Sequence, residues 1–168
     1  IPKVRGAFRS RTIESIKAEV ERLAASGVKE VVLIAQDTTS YGIDLNDGKP
    51  LLTTLLKELT AVEGIEWIRM LYLYPTFFSD ELLDIIVNEP KLCKYVDIPL
   101  QHVNNDILKQ MNRRDDRNDI ERLLKKIRNA PTHITLRTSI IVGFPGETDE
   151  QFEELCDFVK EIKFDNMG

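Results

Sequence analysis

Cysteine and histidine are scarce in this sequence, and this scarcity limits the metal sites that it can form. Two cysteines, Cys93 and Cys156, and two histidines, His102 and His133, lie far apart among 168 residues, without a CxxC or CxxxC spacing. Structural zinc sites draw four such ligands from closely spaced pairs, and iron–sulfur clusters need several cysteine thiolates. The sequence therefore predicts no metal site and no disulfide within these residues.

Several other signals are absent. No run of about 18 apolar residues could cross a membrane, and no basic segment followed by an apolar one marks secretion. We therefore expect a cytoplasmic protein without a membrane partner. A net charge of -5 and an isoelectric point near 5.2 argue against broad, non-specific nucleic-acid binding, which requires a basic surface. No dinucleotide-binding glycine fingerprint follows any predicted strand, so a Rossmann fold is disfavoured.

The residues that are present alternate between helix and strand patterns. With 42% hydrophobic and 30% charged residues, the chain has the composition of one globular domain, residues 1–168. Apolar, β-branched runs predict strands at 30–35, 67–72, 95–98 and 135–142. The first of these runs shows no alternation, which is typical of a parallel strand buried on both faces.

Periodic apolar residues and capping residues predict the helices between these strands. The first helix follows Ser10 or Thr12, the second opens at Pro50, and the third follows Ser79. Further helices are predicted at 104–111 and 119–129, and a last one after the capping box 148–151. Strands separated by helices predict parallel pairing. A complete (β/α) barrel needs about 250 residues, so about four strands predict a partial TIM-type barrel.

Barrel enzymes bind ligands at the carboxyl ends of their strands. The residues that follow the four predicted strands are polar or are glycine and proline, although turn formation alone would also select them. The candidates are Gln36, Asp37, Tyr74, Gln101, His102, Gly143, Gly146 and Glu147. The glycine-rich stretch 143–148 leads into a helix and is similar to a phosphate cradle, but it lacks the lysine of nucleotide triphosphate sites. Its glycines also suit close approach by an adenosine or an amino-acid group.

Charged residues offer two further interpretations. Arg137 lies within a strand, where it either binds a ligand carboxylate in the barrel interior or faces outward over a helix. Arg5, Arg9 and Arg11 form a basic cluster near the start of the chain, and Arg113, Arg114 and Arg117 form another. Such clusters either dock an anionic partner or form a solvated surface.

Local motifs over the whole chain resemble the radical S-adenosylmethionine methylthiotransferases. They are Ile1-Pro2-x-x-Arg5-Gly6-x-x-Arg9-Ser10-Arg11, Gln36-Asp37-Thr38-Thr39-x-Tyr41-Gly42, Tyr72-x-Tyr74-Pro75, Asp97-Ile98-Pro99-Leu100-Gln101-His102 and Ile141-Val142-Gly143-Phe144-Pro145-Gly146-Glu147-Thr148. The second and fourth motifs are similar to the branch that modifies an aspartate of a small-subunit ribosomal protein. The tRNA-modifying branch would show a Gln-Asn-Val-Asn loop and a Leu-Pro-Val-Gln-Ser strand end, which this sequence lacks.

The resemblance implies that residues 1–168 are the middle of a radical core within a longer protein. The CxxxCxxC cluster loop would lie just before Ile1, and we expect the first and closing strands and the N-terminal and C-terminal domains to be missing. The implied cofactors are S-adenosylmethionine and two 4Fe-4S clusters in the whole protein, with none of the clusters in this chain. The chain alone is therefore expected to be inactive.

The resemblance also implies a reaction and a site. A deoxyadenosyl radical would remove a hydrogen from the aspartate β-carbon, and a methylthio group would then be installed. Gln36, Asp37, Tyr74, Gln101, His102, Arg137, Ser139, Gly143, Gly146 and Glu147 would line the cofactor or the substrate, while Arg5, Arg9 and Arg11 would dock the partner. The expected partners are the ribosomal protein and an electron donor, with ribosomal RNA nearby. A tRNA methylthiotransferase and a non-catalytic ribosome-interaction domain remain alternatives.

Overall fold

The computed structural model describes residues 6–168, in which five short strands alternate with six α-helices. The strands are β1 (Glu30–Leu33), β2 (Trp67–Met70), β3 (Tyr95–Asp97), β4 (Thr135–Thr138) and β5 (Asn166–Met167). The helices are α1 (Ile13–Ala25), α2 (Leu52–Thr60), α3 (Asp80–Asn88), α4 (Asn105–Gln110), α5 (Arg117–Arg128) and α6 (Asp149–Ile162), and Pro75–Phe77 form one 3₁₀ turn.

All paired strands run parallel, and their spatial order follows the chain. β1 pairs with β2, and β3 pairs with β4, which pairs with β5. The two groups meet where Leu73 N donates to Asp97 O at 2.8 Å and Cys93 N donates to Ile68 O at 3.0 Å. Parallel strands in chain order, joined by helical crossovers, confirm the predicted partial (β/α) barrel.

The two faces of the sheet have different chemistry because successive strand residues point to opposite sides. Val31, Ile68, Met70, Val96 and Leu136 are buried on the side that packs against the helices. The opposite side, here called the inner face, carries Glu30, Val32, Trp67, Arg69, Tyr95, Asp97, Thr135 and Arg137. Charged and aromatic residues on the inner face therefore lie where a complete barrel has its interior.

Side-chain caps fix where most of the helices begin. Thr12 Oγ1 accepts from Ser15 N and begins α1, whereas Ser10 Oγ accepts from Gly42 N in a loop contact. Ser79 caps α3, and Thr148 and Gln151 form the predicted capping box of α6. Each cap satisfies N–H groups that the helix itself cannot satisfy.

The ends of several elements differ from the sequence expectation. The helix expected from Pro50 begins at Leu52, and the helix expected from Asp119 begins at Arg117, because Asp116 caps it. The strand expected at 135–142 ends at Thr138, with a single further bridge from Ile140 to Gln101. Backbone pairing, rather than β-branched composition, sets the end of this strand.

One prediction about the strands is wrong, and one count is short by a two-residue strand. β1 is not buried on both faces, because Val32 on the inner face is 43% exposed. The estimate of about four strands misses β5, where Gly168 N donates to Thr138 O and Ile140 N donates to Gly168 O. Asn166–Met167 gives too short a pattern to predict a strand. It pairs in parallel with β4.

Candidate active site at the carboxyl ends of the strands

The segments that follow the strands meet at one edge of the sheet, as the sequence predicts. Thr38 N after β1 donates to Tyr72 O after β2 at 2.9 Å, and Tyr74 N donates to Thr39 Oγ1 at 3.1 Å. Further along, Gln101 N after β3 donates to Ser139 O after β4 at 2.9 Å. Leu73 N, after β2, donates to Asp97 O at the end of β3 and connects these two pairs of segments into one rim.

The segment after β1 is shaped by Asp37. Its carboxylate accepts from the hydroxyl groups of Thr39 and Ser40 and from Ser40 N, and both of these neighbours are buried. Because these bonds occupy the Asp37 carboxylate, it is a loop-forming group in this structure. Gln36 beside it is exposed and borders a cleft.

This cleft has a volume of about 880 Å³ and lies outside the ends of β1 and β2. Its walls include Arg9, Gln36, Asp37, Tyr74, Arg113 and Arg114. The Arg113 guanidinium lies 4.4 Å from the centre of the Tyr74 ring and also donates to Pro99 O. Cation–π stacking of this kind fixes the orientation of both side chains. The sequence placed Arg113 in a basic cluster but did not indicate that it contacts a site residue.

Arg137 lies on the inner face and is paired within the protein. Arg137 Nη1 donates to Asp97 Oδ1 at 2.7 Å, and Asp97 Oδ2 accepts from Tyr72 N at 3.0 Å. The Asp97 side chain is 1% exposed and the Arg137 side chain 38% exposed. The hydrogen bond and the negative charge of Asp97 raise the pKa of Arg137. The anionic partner that an interior arginine requires is thus Asp97, while part of the guanidinium remains open.

Gln101 and Ser139 lie next to each other beyond β3 and β4. Gln101 has a left-handed backbone with φ +70° and accepts from Ile141 N at 2.7 Å. Both side chains are half-buried. Non-glycine residues adopt this backbone at a cost of about 1–3 kcal/mol, and such strain is concentrated at functional sites. The structure therefore brings Gln101, Ser139 and the Arg137–Asp97 pair to the same part of the rim.

His102 and Glu147 form a buried pair behind the rim. Their side chains are 0% and 4% exposed, and His102 Nε2 lies 3.2 Å from Glu147 Oε1. Because His102 Nδ1 accepts from Asn104 N at 3.0 Å, the neutral ring carries its proton on Nε2 and donates it to Glu147. Neither side chain presents a free polar atom at the surface, so both hold the loop that follows β4.

Glu147 also fills the loop that resembles a phosphate cradle. Its Oε2 accepts from Gly143 N and, at 3.0 Å, from Phe144 N. Burial acts to raise the pKa of Glu147, but hydrogen bonds from His102, Phe144 and Gly143 outweigh burial and lower it. The interpretation as a phosphate cradle is therefore wrong for this conformation, since the protein's own carboxylate occupies the N–H groups.

The two loop glycines serve the turn. Gly143 has φ +74° and Gly146 has φ +87°, and a residue with a side chain would be strained in this backbone conformation. A Cβ atom at Gly143 would meet nothing within 4 Å. Both residues are exposed. Backbone conformation explains these glycines, and the space beside Gly143 is open to solvent.

The N-terminal arginines separate into different environments. Arg5 lies outside the described residues. Arg11 pairs with Glu19 and donates to Ser15 O at 3.1 Å, so it stabilises the start of α1. Arg9 is exposed beside the cleft, which it shares with Arg114 from the second basic cluster. The third member of that cluster, Arg117, instead binds Glu121 and Glu154 between helices.

Residues 6–168 contain no group of three His, Cys, Asp or Glu side chains that could hold a metal ion. Both cysteines are free and partly exposed, and burial raises the pKa of Cys93. Across the same described residues, no helix is long and apolar enough to span a bilayer.

The sequence is similar to several curated proteins over its full length. Ribosomal protein uS12 methylthiotransferase RimO is 52% identical over 168 residues in Clostridium botulinum and 53% identical in Geobacter sulfurreducens. The Clostridium novyi protein of the same name is 54% identical. The chain spans 38%, 37% and 38% of these relatives, respectively.

Structural comparison supports the same fold. The radical S-adenosylmethionine methyltransferase TsrM from Kitasatospora setae, solved with cobalamin and a 4Fe-4S cluster, superposes with a TM-score of 0.72 at 19% identity. The match covers 94% of this chain and 30% of TsrM. The model of the radical S-adenosylmethionine superfamily matches residues 1–159. With strand order, rim and family model in agreement, the chain belongs to the radical S-adenosylmethionine superfamily.

Proposed function

We propose that this chain is the central part of the radical core of a methylthiotransferase that modifies ribosomal protein uS12. The observation that carries the proposal is identity of 52–54% over all 168 residues to proteins of that name. The modified position would be the β-carbon of an aspartate, as the motifs at 36–42 and 97–102 suggest. Because the chain covers 38% of such a relative, we propose that the active enzyme is longer. An enzyme that modifies a ribosomal protein would act in the cytoplasm.

We propose that the rim binds S-adenosylmethionine. Arg137 has open guanidinium donors for a carboxylate, and Gln101 and Ser139 lie beside it. The adenosine would lie in the open space at Gly143, while Gln36 and Tyr74 border the separate cleft outside β1 and β2. Next to a reduced iron–sulfur cluster, this cofactor supplies radical chemistry, while the protein binds, orients and excludes water.

The remaining candidates would act by holding these groups in place. Asp37 fixes the segment after β1 through Thr39 and Ser40. The pair His102 and Glu147 fixes the segment after β4, with Gly143 and Gly146 supplying its turn. A rigid rim reduces the entropy lost when a ligand is ordered.

The two iron–sulfur clusters do not fit the described residues. Cys93 and Cys156 lie in separate parts of the chain, and no metal-binding group is found among residues 6–168. We propose that the cluster cysteines precede Ile1 in the longer protein, and that the 168-residue chain alone is inactive.

Anaerobic reconstitution tests this function. We expect the longer protein to incorporate iron and sulfide and, with S-adenosylmethionine and a reductant as electron donor, to methylthiolate an aspartate of a purified uS12 protein, detected by peptide mass spectrometry. The 168-residue chain should do neither. Stoichiometric cluster on the short chain, or modification of tRNA instead of uS12, would refute the proposal. A longer protein that binds ribosomes without modifying uS12 would favour a non-catalytic interaction domain.

We further propose that the exposed arginines near the cleft guide the ribosomal partner, including any nearby ribosomal RNA. The basic cluster near the start of the chain consists of Arg5, Arg9 and Arg11, and Arg11 is already paired with Glu19. Arginines at the cleft make the local charge positive. This local charge can offset the repulsion between an anionic partner and a chain of net charge -5. Arg9→Glu in the longer protein should raise the Michaelis constant for uS12 and reduce the increase of that constant with salt, while Arg11→Glu should mainly lower thermal stability. Equal effects of both substitutions on the Michaelis constant would contradict this division.

A further inference from the structure

Asp97 is a buried carboxylate with an unusual set of partners. It ends β3 and is 1% exposed. One oxygen accepts from Arg137 on β4 at 2.7 Å, and the other accepts from the backbone of Tyr72 beyond β2 at 3.0 Å. A single side chain thus links segments from three neighbouring strands.

Both partners of Asp97 lie at the rim, and their side chains are at least partly exposed. The Arg137 side chain is 38% exposed. Tyr72 has a left-handed backbone, φ +57°, and its side chain is exposed. Without a fixed acceptor, a long arginine side chain samples many rotamers, and a tyrosine is seldom held in this backbone region. Asp97 supplies an acceptor for each.

The surroundings of Asp97 make its own position rigid. Leu73 N donates to Asp97 O at 2.8 Å, and Ile98 N donates to Arg137 O at 2.9 Å, so the backbones of all three strands are joined at this level. Thr38 N donates to Tyr72 O from the opposite side. A carboxylate held this firmly can orient a guanidinium whose remaining donors point toward a ligand.

We propose that Asp97 is a positioning residue, which orients Arg137 and the segment at Tyr72 for binding of the anionic end of S-adenosylmethionine. This inference rests on the proposed function above. Asp97 itself is too buried to contact the ligand and acts through its two partners.

A double-mutant cycle in the longer, reconstituted protein tests this role. The variants are Asp97→Asn, Arg137→Ala and the double variant, and the measurement is S-adenosylmethionine affinity by calorimetry. Asp97→Asn should weaken binding by about tenfold in the parent and by a clearly smaller factor in the Arg137→Ala background, where only its contact with Tyr72 remains to be lost. Glu30→Gln is the matched control, because Glu30 bonds Arg69 on the same inner face at 2.7 Å, away from the rim. It should leave the affinity unchanged.

Thermal unfolding of each variant separates positioning from stability. Equal losses of affinity in both backgrounds, or lower stability with unchanged affinity, would overturn the positioning role. If Asp97→Asn does not fold, Asp97→Glu keeps the charge and moves the carboxylate by one methylene, and an unchanged affinity there would also overturn it. A parent protein that binds no S-adenosylmethionine would overturn the proposed function itself, and the positioning role with it.

Discussion

Two ion pairs on the inner face of the sheet have the same hydrogen-bond length but different surroundings. Glu30, the first residue of β1, and Arg69 of β2 form the pair here called the amino-end pair; they are joined at 2.7 Å, and their side chains are 35% and 33% exposed. Asp97 and Arg137, at the carboxyl ends, are also joined at 2.7 Å, but the Asp97 side chain is 1% exposed. The amino-end pair is completed by Tyr95, whose ring centre lies 5.0 Å from the Arg69 guanidinium.

The difference distinguishes an ion pair that only stabilises its surroundings from an ion pair that helps to form a binding site. A partly exposed pair gains little, because water already solvates both charges. A buried carboxylate depends on its donors, since removal of one leaves an uncompensated charge. The carboxyl end therefore contains groups that the protein must hold in place, and this is the end where barrel enzymes bind ligands.

Replacing the arginine of each pair by alanine should give the largest difference in stability between the two pairs. Arg137→Ala should destabilise the chain by about 3 kcal/mol, because Asp97 would keep a buried charge with only the Tyr72 N–H as donor. Arg69→Ala should cost less than about 1 kcal/mol beyond its lost packing. Urea unfolding at neutral pH measures both. Similar losses would show that burial of Asp97 does not distinguish the two ends.

Glu147 is a second buried carboxylate at the carboxyl ends of the strands, and its loss should also be costly. Glu147→Ala should cost about 1–3 kcal/mol, since it leaves the buried His102 Nε2–H without its acceptor. Glu147→Gln keeps an acceptor oxygen and should cost less. A loss below that of an exposed control, Glu63→Ala, would contradict the role assigned to the pair.

The same carboxylate predicts a pH dependence. Because the pKa of Glu147 is lowered in the folded state, its contribution to stability is present above the usual glutamate pKa, about 4.3. That contribution is lost as the pH falls from about 4.3 through the lower folded value. The difference in unfolding free energy between the parent and Glu147→Gln should therefore shrink below pH 4.3. A difference that grows on acidification would show the opposite sign of the shift.

Backbone strain at Tyr72 offers a third comparison with the amino end. Tyr72 has φ +57°, a region that costs residues with a Cβ about 1–2 kcal/mol. Tyr72→Gly should therefore be more stable than Tyr72→Ala by about 1 kcal/mol, since glycine accepts this backbone. At Trp67, which lies in a regular strand at the amino end, the order should reverse. Chemical denaturation of the four variants provides the comparison.

The sequence was sufficient to predict the fold class, because helix and strand patterns alternate and caps such as Thr12, Ser79 and Thr148 are local signals. It also predicted that polar segments after the strands meet at one rim. Strand lengths and β5 were missed, since backbone pairing between distant residues sets them. Asp97 was part of a recognised motif, but its role requires knowing that it lies opposite Arg137 in register.

Other features of the site depend on contacts that spacing cannot show. Glu147 and His102 are 45 residues apart, and the sequence around each residue does not indicate that their side chains form a hydrogen bond. The stacking of Arg113 on Tyr74 likewise joins two segments that are distant in the chain. One signal was available for Asp97, because a carboxylate at the end of an apolar strand implies a buried cationic partner.

Salt provides the finest test of the two ion pairs. The Debye length falls from about 10 Å at 0.1 M to about 3 Å at 1 M, and exposed charges are screened more than buried ones. We expect the coupling energy between Glu30 and Arg69, less than about 1 kcal/mol, to fall by about half over this range. The coupling between Asp97 and Arg137 should stay constant within about 0.3–0.5 kcal/mol. Double-mutant cycles built with Glu30→Gln, Arg69→Ala, Asp97→Asn and Arg137→Ala, measured by urea unfolding at both salt concentrations, would give these energies. Equal salt sensitivity would mean that water and ions reach Asp97 as readily as Glu30, and the distinction between the two ends would then rest on geometry alone.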